Sequence, residues 1–150
     1  MKLLINQLAM KKYIFCFSLI LFFVGADAQE TLMSKGNKVF IENKSKNENA
    51  LKAQQELEKR LKEWAYWSVV DQEAAADFKI NMETSASKGI TATSWGGTSF
   101  ALIARIKDKK DQVIWESDTY KSSPNGSNGF NSGAAVVKKL IRDLKKKYAK

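Results

Sequence analysis

The sequence predicts an α+β fold: a single antiparallel or mixed sheet of about five strands with two helices on one face. Three observations predict it. Two segments repeat apolar residues at three- and four-residue spacing, each along one stripe only. Several short runs rich in β-branched and aromatic residues lie between and around them. The resulting order, β-α-β-β-β-β-α, contains no break long enough to divide two domains. A helix with one apolar stripe needs one covering layer, which a sheet supplies.

The elements follow in order. Lys38-Val39-Phe40-Ile41-Glu42 is an apolar run with charged ends and reads as a strand. Asn43 to Asn49 is a polar connector ending in good helix-capping residues. Ala50, Ala53, Leu57, Leu61 and Trp64 then mark one face of a helix. Glu56–Arg60 and Glu58–Lys62 form favourable pairs four residues apart on its other side. Trp67 to Val70 reads as a second short strand, and Asp71-Gln72-Glu73 as a turn. From Ala76 onward Phe78, Ile80 and Met82 alternate with Lys79, Asn81 and Glu83, the pattern of a half-buried strand. Ile90 to Thr93 extends the sheet between turn signals at Ser87-Lys88-Gly89 and Trp95-Gly96-Gly97. A long strand runs from Thr98, and Asp108 to Asp111 turns it into Gln112–Glu116, an antiparallel hairpin. Lys121 to Gly133 is the most loop-like stretch and holds the chain's one proline. Helical spacing returns in Ala134, Val137, Leu140, Ile141, Leu144 and Tyr148.

The first residues have a different character. Lys11 and Lys12 precede an apolar run from Tyr13 to Val24, and Gly25-Ala26-Asp27-Ala28 offers the small-x-small pattern of a cleavage site. About 12 apolar residues are too few for a comfortable bilayer anchor, which takes roughly 20. Residues 1–28 therefore read as a secretory signal, with Met10 an alternative start. Residues 29–37 read as a flexible lead-in, and residues 38–150 as the domain. Cys16, the one cysteine, lies inside the apolar run, not after it, so there is no lipoprotein cleavage signature and no disulfide in the mature chain. The expected location is periplasmic or secreted, with no transmembrane segment after cleavage.

The composition narrows the chemistry. A chain of 150 residues without histidine has no Ser-His-Asp or Cys-His centre and no histidine-bearing metal site. No cofactor motif is present. The net charge is +9. Removal of Lys2, Lys11, Lys12 and Asp27 with the leader leaves +7. Six of those charges sit on the last helix, where Lys138, Lys139, Arg142, Lys145, Lys146, Lys147 and Lys150 face only Asp143.

The succession of a strand, a helix closed by an aromatic, a Val-rich strand and then Glu73-Ala74-Ala75-Ala76-Asp77-Phe78 opening a longer strand resembles a group of small bacterial envelope domains. These have an anticodon-binding-domain-like fold: the curli secretion lipoprotein, the amino-terminal domain of the Tol translocation protein, and lipoprotein activators of penicillin-binding proteins. Arg105-Ile106-Lys107-Asp108 with Gln112 to Ser117 is similar to their later hairpin. The resemblance spans Lys38 to Tyr148 and implies a non-catalytic assembly, adaptor or scaffolding role. It carries over no catalytic residue, and the missing lipid-attachment cysteine departs from its pattern.

Candidate sites follow from charge and aromaticity. Lys138, Lys139, Arg142, Lys145, Lys146 and Lys147 could dock an anionic membrane, an acidic glycan or an acidic envelope protein. They could equally form a solvated face whose cations suit the negative end of the helix dipole. Nucleic acid is not expected, because export removes the protein from it. Trp95, beside two glycines, is a candidate for stacking on a sugar or partner, or a buried loop residue. Trp64, Tyr66 and Trp67 read as packing at the domain edge, with a binding platform as the alternative. Asp71, Glu73, Asp77, Asp108 and Asp111 are the carboxylates on which a hydrolase of envelope polymers would have to rely; turn chemistry accounts for them instead. The expectation is a protein that is not an enzyme, with no metal and no cofactor.

Overall fold

A computed structural model describes residues 31–88, 98–123 and 132–149. Thr31 and Leu32, which are helical, belong to an N-terminal unit, Met1–Met33; the second unit, Ser34–Lys150, carries the sheet. Residues 1–30, with the expected secretory signal among them, lie outside the described residues, as do Ile90–Thr93, Trp95 and Lys150.

The elements are β1 (Lys38–Asn43), α1 (Glu48–Trp64), β2 (Ser68–Val70), β3 (Phe78–Lys88), β4 (Thr98–Lys107), β5 (Val113–Glu116), β6 (Tyr120–Ser122) and α2 (Ser132–Tyr148). The sheet is mixed. Its order is β2-β1-β3-β4-β5, with β1 parallel to β2 and β3, and β3 antiparallel to β4. The α+β class and both helices are as the sequence predicts. The sixth strand, β6, is not: it lies in what reads as the start of a loop and pairs with β4 beside β5. Two residues of the expected lead-in are hydrogen-bonded to the segment after α1. The amide of Gly36 donates to the Tyr66 carbonyl at 2.7 Å, and that of Ser68 to the Asn37 carbonyl at 2.9 Å.

Alternation decides the faces. Val39, Ile41, Phe78, Ile80, Met82, Phe100, Leu102, Ala104 and Ile106 are buried on the side the helices cover. Helix α1 closes this core with Ala50, Ala53, Leu57 and Leu61, and α2 with Val136, Val137, Leu140, Ile141 and Leu144. The Asn47 side chain caps α1 by accepting from the Asn49 amide at 2.9 Å. Ala65 ends the helix in the left-handed region at φ 53°, its amide bonded to the Leu61 carbonyl. That turn brings Tyr66 back onto Trp64.

Two further details position the ends of the domain. A side chain at Gly133 would meet the Asn49 carbonyl at 3.3 Å and Ala53 Cβ at 3.5 Å, so the starts of α1 and α2 touch. Trp67, just past α1, lies 5.3 Å from Tyr148 at the close of α2. The two helices are therefore parallel, and both carbonyl ends point to one end of the domain. At the break between β5 and β6, Ser117 stands in for a ladder residue. Its hydroxyl accepts from the Ala104 amide, and its own amide donates to the Ala104 carbonyl, both at 2.9 Å.

Candidate functional site

The uncovered face of the sheet is polar because alternate residues of β1, β3 and β4 point there, and most of its charges are paired. Lys79, 9% exposed, reaches Glu73 and Asp111, each at 2.7 Å. Arg105 bridges Glu83 and Glu116. Asn81 donates to Glu42 at 2.7 Å. These partners come from four strands, the Asp108–Asp111 turn and the single 3₁₀ turn Glu73–Ala75, so the lattice ties the face together.

That arrangement assigns a structural task to four of the five carboxylates singled out in the sequence. Asp108 behaves as turn chemistry requires, accepting from the amides of Lys110 at 2.8 Å and Gln112 at 2.9 Å. Glu73 and Asp111 serve Lys79 instead. Asp77 accepts from the Lys38 amide at 2.9 Å and lies 3.7 Å from the Lys109 ammonium. The Lys79 ammonium beside Asp111 holds its carboxyl below the usual aspartate range. A general acid needs the opposite direction, produced by apolar burial. Asp71 lines an open cleft of about 390 Å³ where β2 stops short of the end of β1, with Ile41, Glu42, Gln54, Glu58 and Val70. No local pattern signals this cleft, because it arises from β2 covering only the first half of β1. Its walls are already engaged: Gln54 donates to Glu58 at 3.0 Å, and Glu42 accepts from Asn81. Among the described residues no group of His, Cys, Asp and Glu could hold a metal ion.

The basic helix resolves into two parts. In its first half Lys138 and Lys139 are exposed, and the Lys139 ammonium donates to the Lys121 carbonyl of β6 at 2.8 Å. Arg142 turns back on Asp143 at 3.0 Å. Asp143 also accepts from the buried Tyr120 hydroxyl at 2.8 Å, which fixes β6 beneath α2. Burial, and secondarily the Asp143 carboxylate, raises the Tyr120 hydroxyl well above its ordinary pKa.

In the last turn Lys145, Lys146 and Lys147 are exposed, and Lys145 and Lys147 lie against an aromatic cluster. Trp64 and Tyr66 stack with centroids 4.9 Å apart and planes 11° from parallel. Trp67 packs edge-on to both and to Phe78, and is buried. Trp64, Tyr66 and Tyr148 are each half-buried. The Lys145 ammonium lies 6.0 Å from the Trp64 ring centre, and that of Lys147 lies 5.6 Å from the Tyr148 ring centre. Desolvation pushes the Tyr148 hydroxyl up to about 12. Of the three aromatics read as edge packing, Trp67 fills that role fully, whereas Trp64 and Tyr66 keep part of their surface open. No described helix is long and apolar enough to cross a membrane.

No protein-family model and no curated protein matches the chain. Solved structures do. A PelC dodecamer from Paraburkholderia phytofirmans is similar in fold at 15% identity, with 75% of this chain and 90% of that chain covered and a TM-score of 0.53. A minor lipoprotein from Acinetobacter baumannii is similar at 12% identity, covering 74% of this chain and 94% of that one, with a TM-score of 0.51. At such identities the likeness is one of fold.

Proposed function

We propose that this chain is an exported, non-catalytic binding or assembly domain of a bacterial envelope. The observation that carries the reading is the fold, similar over most of its length to a PelC dodecamer and to a minor lipoprotein. The leader-like start at Lys11 to Ala28 supports it from the sequence. So does the polar face of the sheet, where Lys79, Arg105 and Asn81 are spent on neighbouring carboxylates. The resemblance to small envelope domains with an anticodon-binding-domain-like fold belongs to the same reading.

The test is fractionation of a bacterial host expressing the full chain. The expected result is a processed protein beginning at Gln29 in the periplasmic or envelope fraction. An unprocessed chain held in the cytoplasm overturns export. Hydrolysis of an envelope polymer, abolished by one substitution among Asp71, Glu73, Asp77, Asp108 and Asp111, overturns the non-catalytic reading.

A further inference from the structure

We infer that the end of the domain where both helices finish is a docking surface for anionic lipid. The surface consists of the stacked pair Trp64 and Tyr66, with Lys145 over Trp64, and the other exposed cations of the two last turns, Lys62, Lys146 and Lys147. Three observations combine. First, α1 and α2 are parallel, so the cations of their last turns gather at one end instead of being spread along the chain. Second, two aromatic rings with an apolar body and a polar tip are half-open at that same end, one of them within 6.0 Å of the Lys145 ammonium. Third, the nearby acid Glu63 faces back along α1 toward Lys59, at 3.9 Å.

Tryptophan, tyrosine and lysine side by side are the chemistry of a membrane interface. The rings enter the headgroup layer, and long cationic side chains reach its phosphates. A soluble acidic protein would need the charges but not an aromatic pair at their centre; an acidic glycan, which can stack on such rings, is the competing outcome of the test. A second copy of this chain is a poorer match, because the acids of its sheet face, Glu73, Asp77, Glu83, Asp111 and Glu116, are bound to its own lysines and Arg105; a change of oligomeric state on K145E/K146E/K147E without loss of vesicle binding would favour it. The inference rests on the export part of the proposed function, which is where such a domain would meet lipid. Fractionation tests export, and vesicle binding tests the surface, so either can fail alone.

The experiment is co-sedimentation of the full chain with phosphatidylcholine vesicles, with and without phosphatidylglycerol. The leader contributes equally to every variant, so the comparison between variants is the readout. Binding to the anionic vesicles should exceed binding to neutral ones and fall steeply as salt shortens the screening length. Each lysine near such a surface is worth about fivefold, so K145E/K146E/K147E should weaken binding by at least about a hundredfold. K145Q/K146Q/K147Q should give a smaller loss in the same direction and guards against misfolding of the reversed variant. Lys138 and Lys139 lie about 10 Å further along the helix, beyond the screening length in physiological salt; K138E/K139E should cost less than about threefold. Brominated lipid should quench fluorescence in the parent and much less in W64F. Equal binding to neutral and anionic vesicles, or binding indifferent to both triple variants, overturns the inference. So does a soluble acidic polysaccharide that is bound while vesicles are not.

Discussion

Tyr120 offers the sharpest test of how the structure is held together, because one oxygen atom links the three-residue strand β6 to the terminal helix. The ring is 7% exposed and packs on the covered face opposite Leu102, while its hydroxyl donates to Asp143 at 2.8 Å. Tyr120→Phe removes that bond and leaves the ring. A hydrogen bond to a charged group contributes about 1.5–3 kcal/mol. Here Asp143 keeps Arg142 as a second partner and 30% of its side chain in water, so it is partly re-solvated after the loss. The expected cost is therefore about 1–2 kcal/mol by the same reckoning, or a fall in Tm of about 4–8 °C for a domain of this size. Tyr120→Ala should cost about 3–5 kcal/mol, since it also opens a cavity. Urea unfolding of Y120F, D143N and the double variant gives the coupling directly; about 1 kcal/mol is expected for two groups in contact. If Y120F unfolds at the parent's midpoint and the coupling is zero, β6 is not held by this bond and the reasoning fails.

Two other predictions bear on packing and pH. Gly133→Val should destabilise by about 1–3 kcal/mol through overpacking, since even a Cβ would sit 3.3 Å from the Asn49 backbone carbonyl; thermal melts check it, and an unchanged Tm refutes the close approach of the helix starts. Asp111 and Asp143 both have carboxyls held below the usual range, by Lys79 and by Arg142 respectively. A carboxyl depressed on folding stabilises only while ionised, so its contribution is complete above the unfolded value of about 4 and is lost as pH falls through the folded one. The urea midpoint should hold from neutrality to about pH 5 and drop below about pH 4, and K79M should flatten part of that drop; a midpoint that rises toward low pH contradicts it.

The two helices were legible because their apolar stripes, Ala50 to Leu61 and Val137 to Leu144, are local patterns that burial then fulfils. The alternation of β3 and of β4 was legible, and so was the β4–β5 hairpin across Asp108–Asp111. The pairing of β3 with β4, Ile80 with Ile106 and Met82 with Ala104, was not, because β3 continues as strand to Lys88, through residues that read as a turn. β6 was not, since three residues reading Tyr-Lys-Ser carry no period; what defines them is a tertiary bond to Asp143, 23 residues away. The charged groups show the same division. Asp108 acts within its own turn, which sequence can foresee. Glu73 and Asp111 meet Lys79 only because β3 passes between the turns that carry them. Likewise the basic helix reads as one cationic face in sequence. Its division into a first half tied to β6 and a last turn set among aromatics depends on where α1 ends, which no spacing within α2 encodes.

The parallel helices raise a rival account of the lysines at their shared end. Both macrodipoles present their negative ends there, and Lys62 and Lys145 to Lys147 lie in the last turns, where a cation is favourable. On that account alone the charges serve the helices. The two roles separate in measurement because they act on different quantities. The dipole contributes at most about 1 kcal/mol per cation, is confined to the last turn and is screened by salt. K145Q/K146Q/K147Q should thus lower stability at low salt by about 1–2 kcal/mol, the difference shrinking as salt is raised. K138Q/K139Q, in the first half of the helix, should lose only what the single bond from Lys139 to the Lys121 carbonyl provides. If docking is real, the same triple variant loses its preference for phosphatidylglycerol vesicles even under conditions where its urea midpoint matches the parent's. A variant that loses stability yet partitions onto those vesicles like the parent shows that the lysines are there for the helix ends, and the surface with its two open rings then needs another explanation.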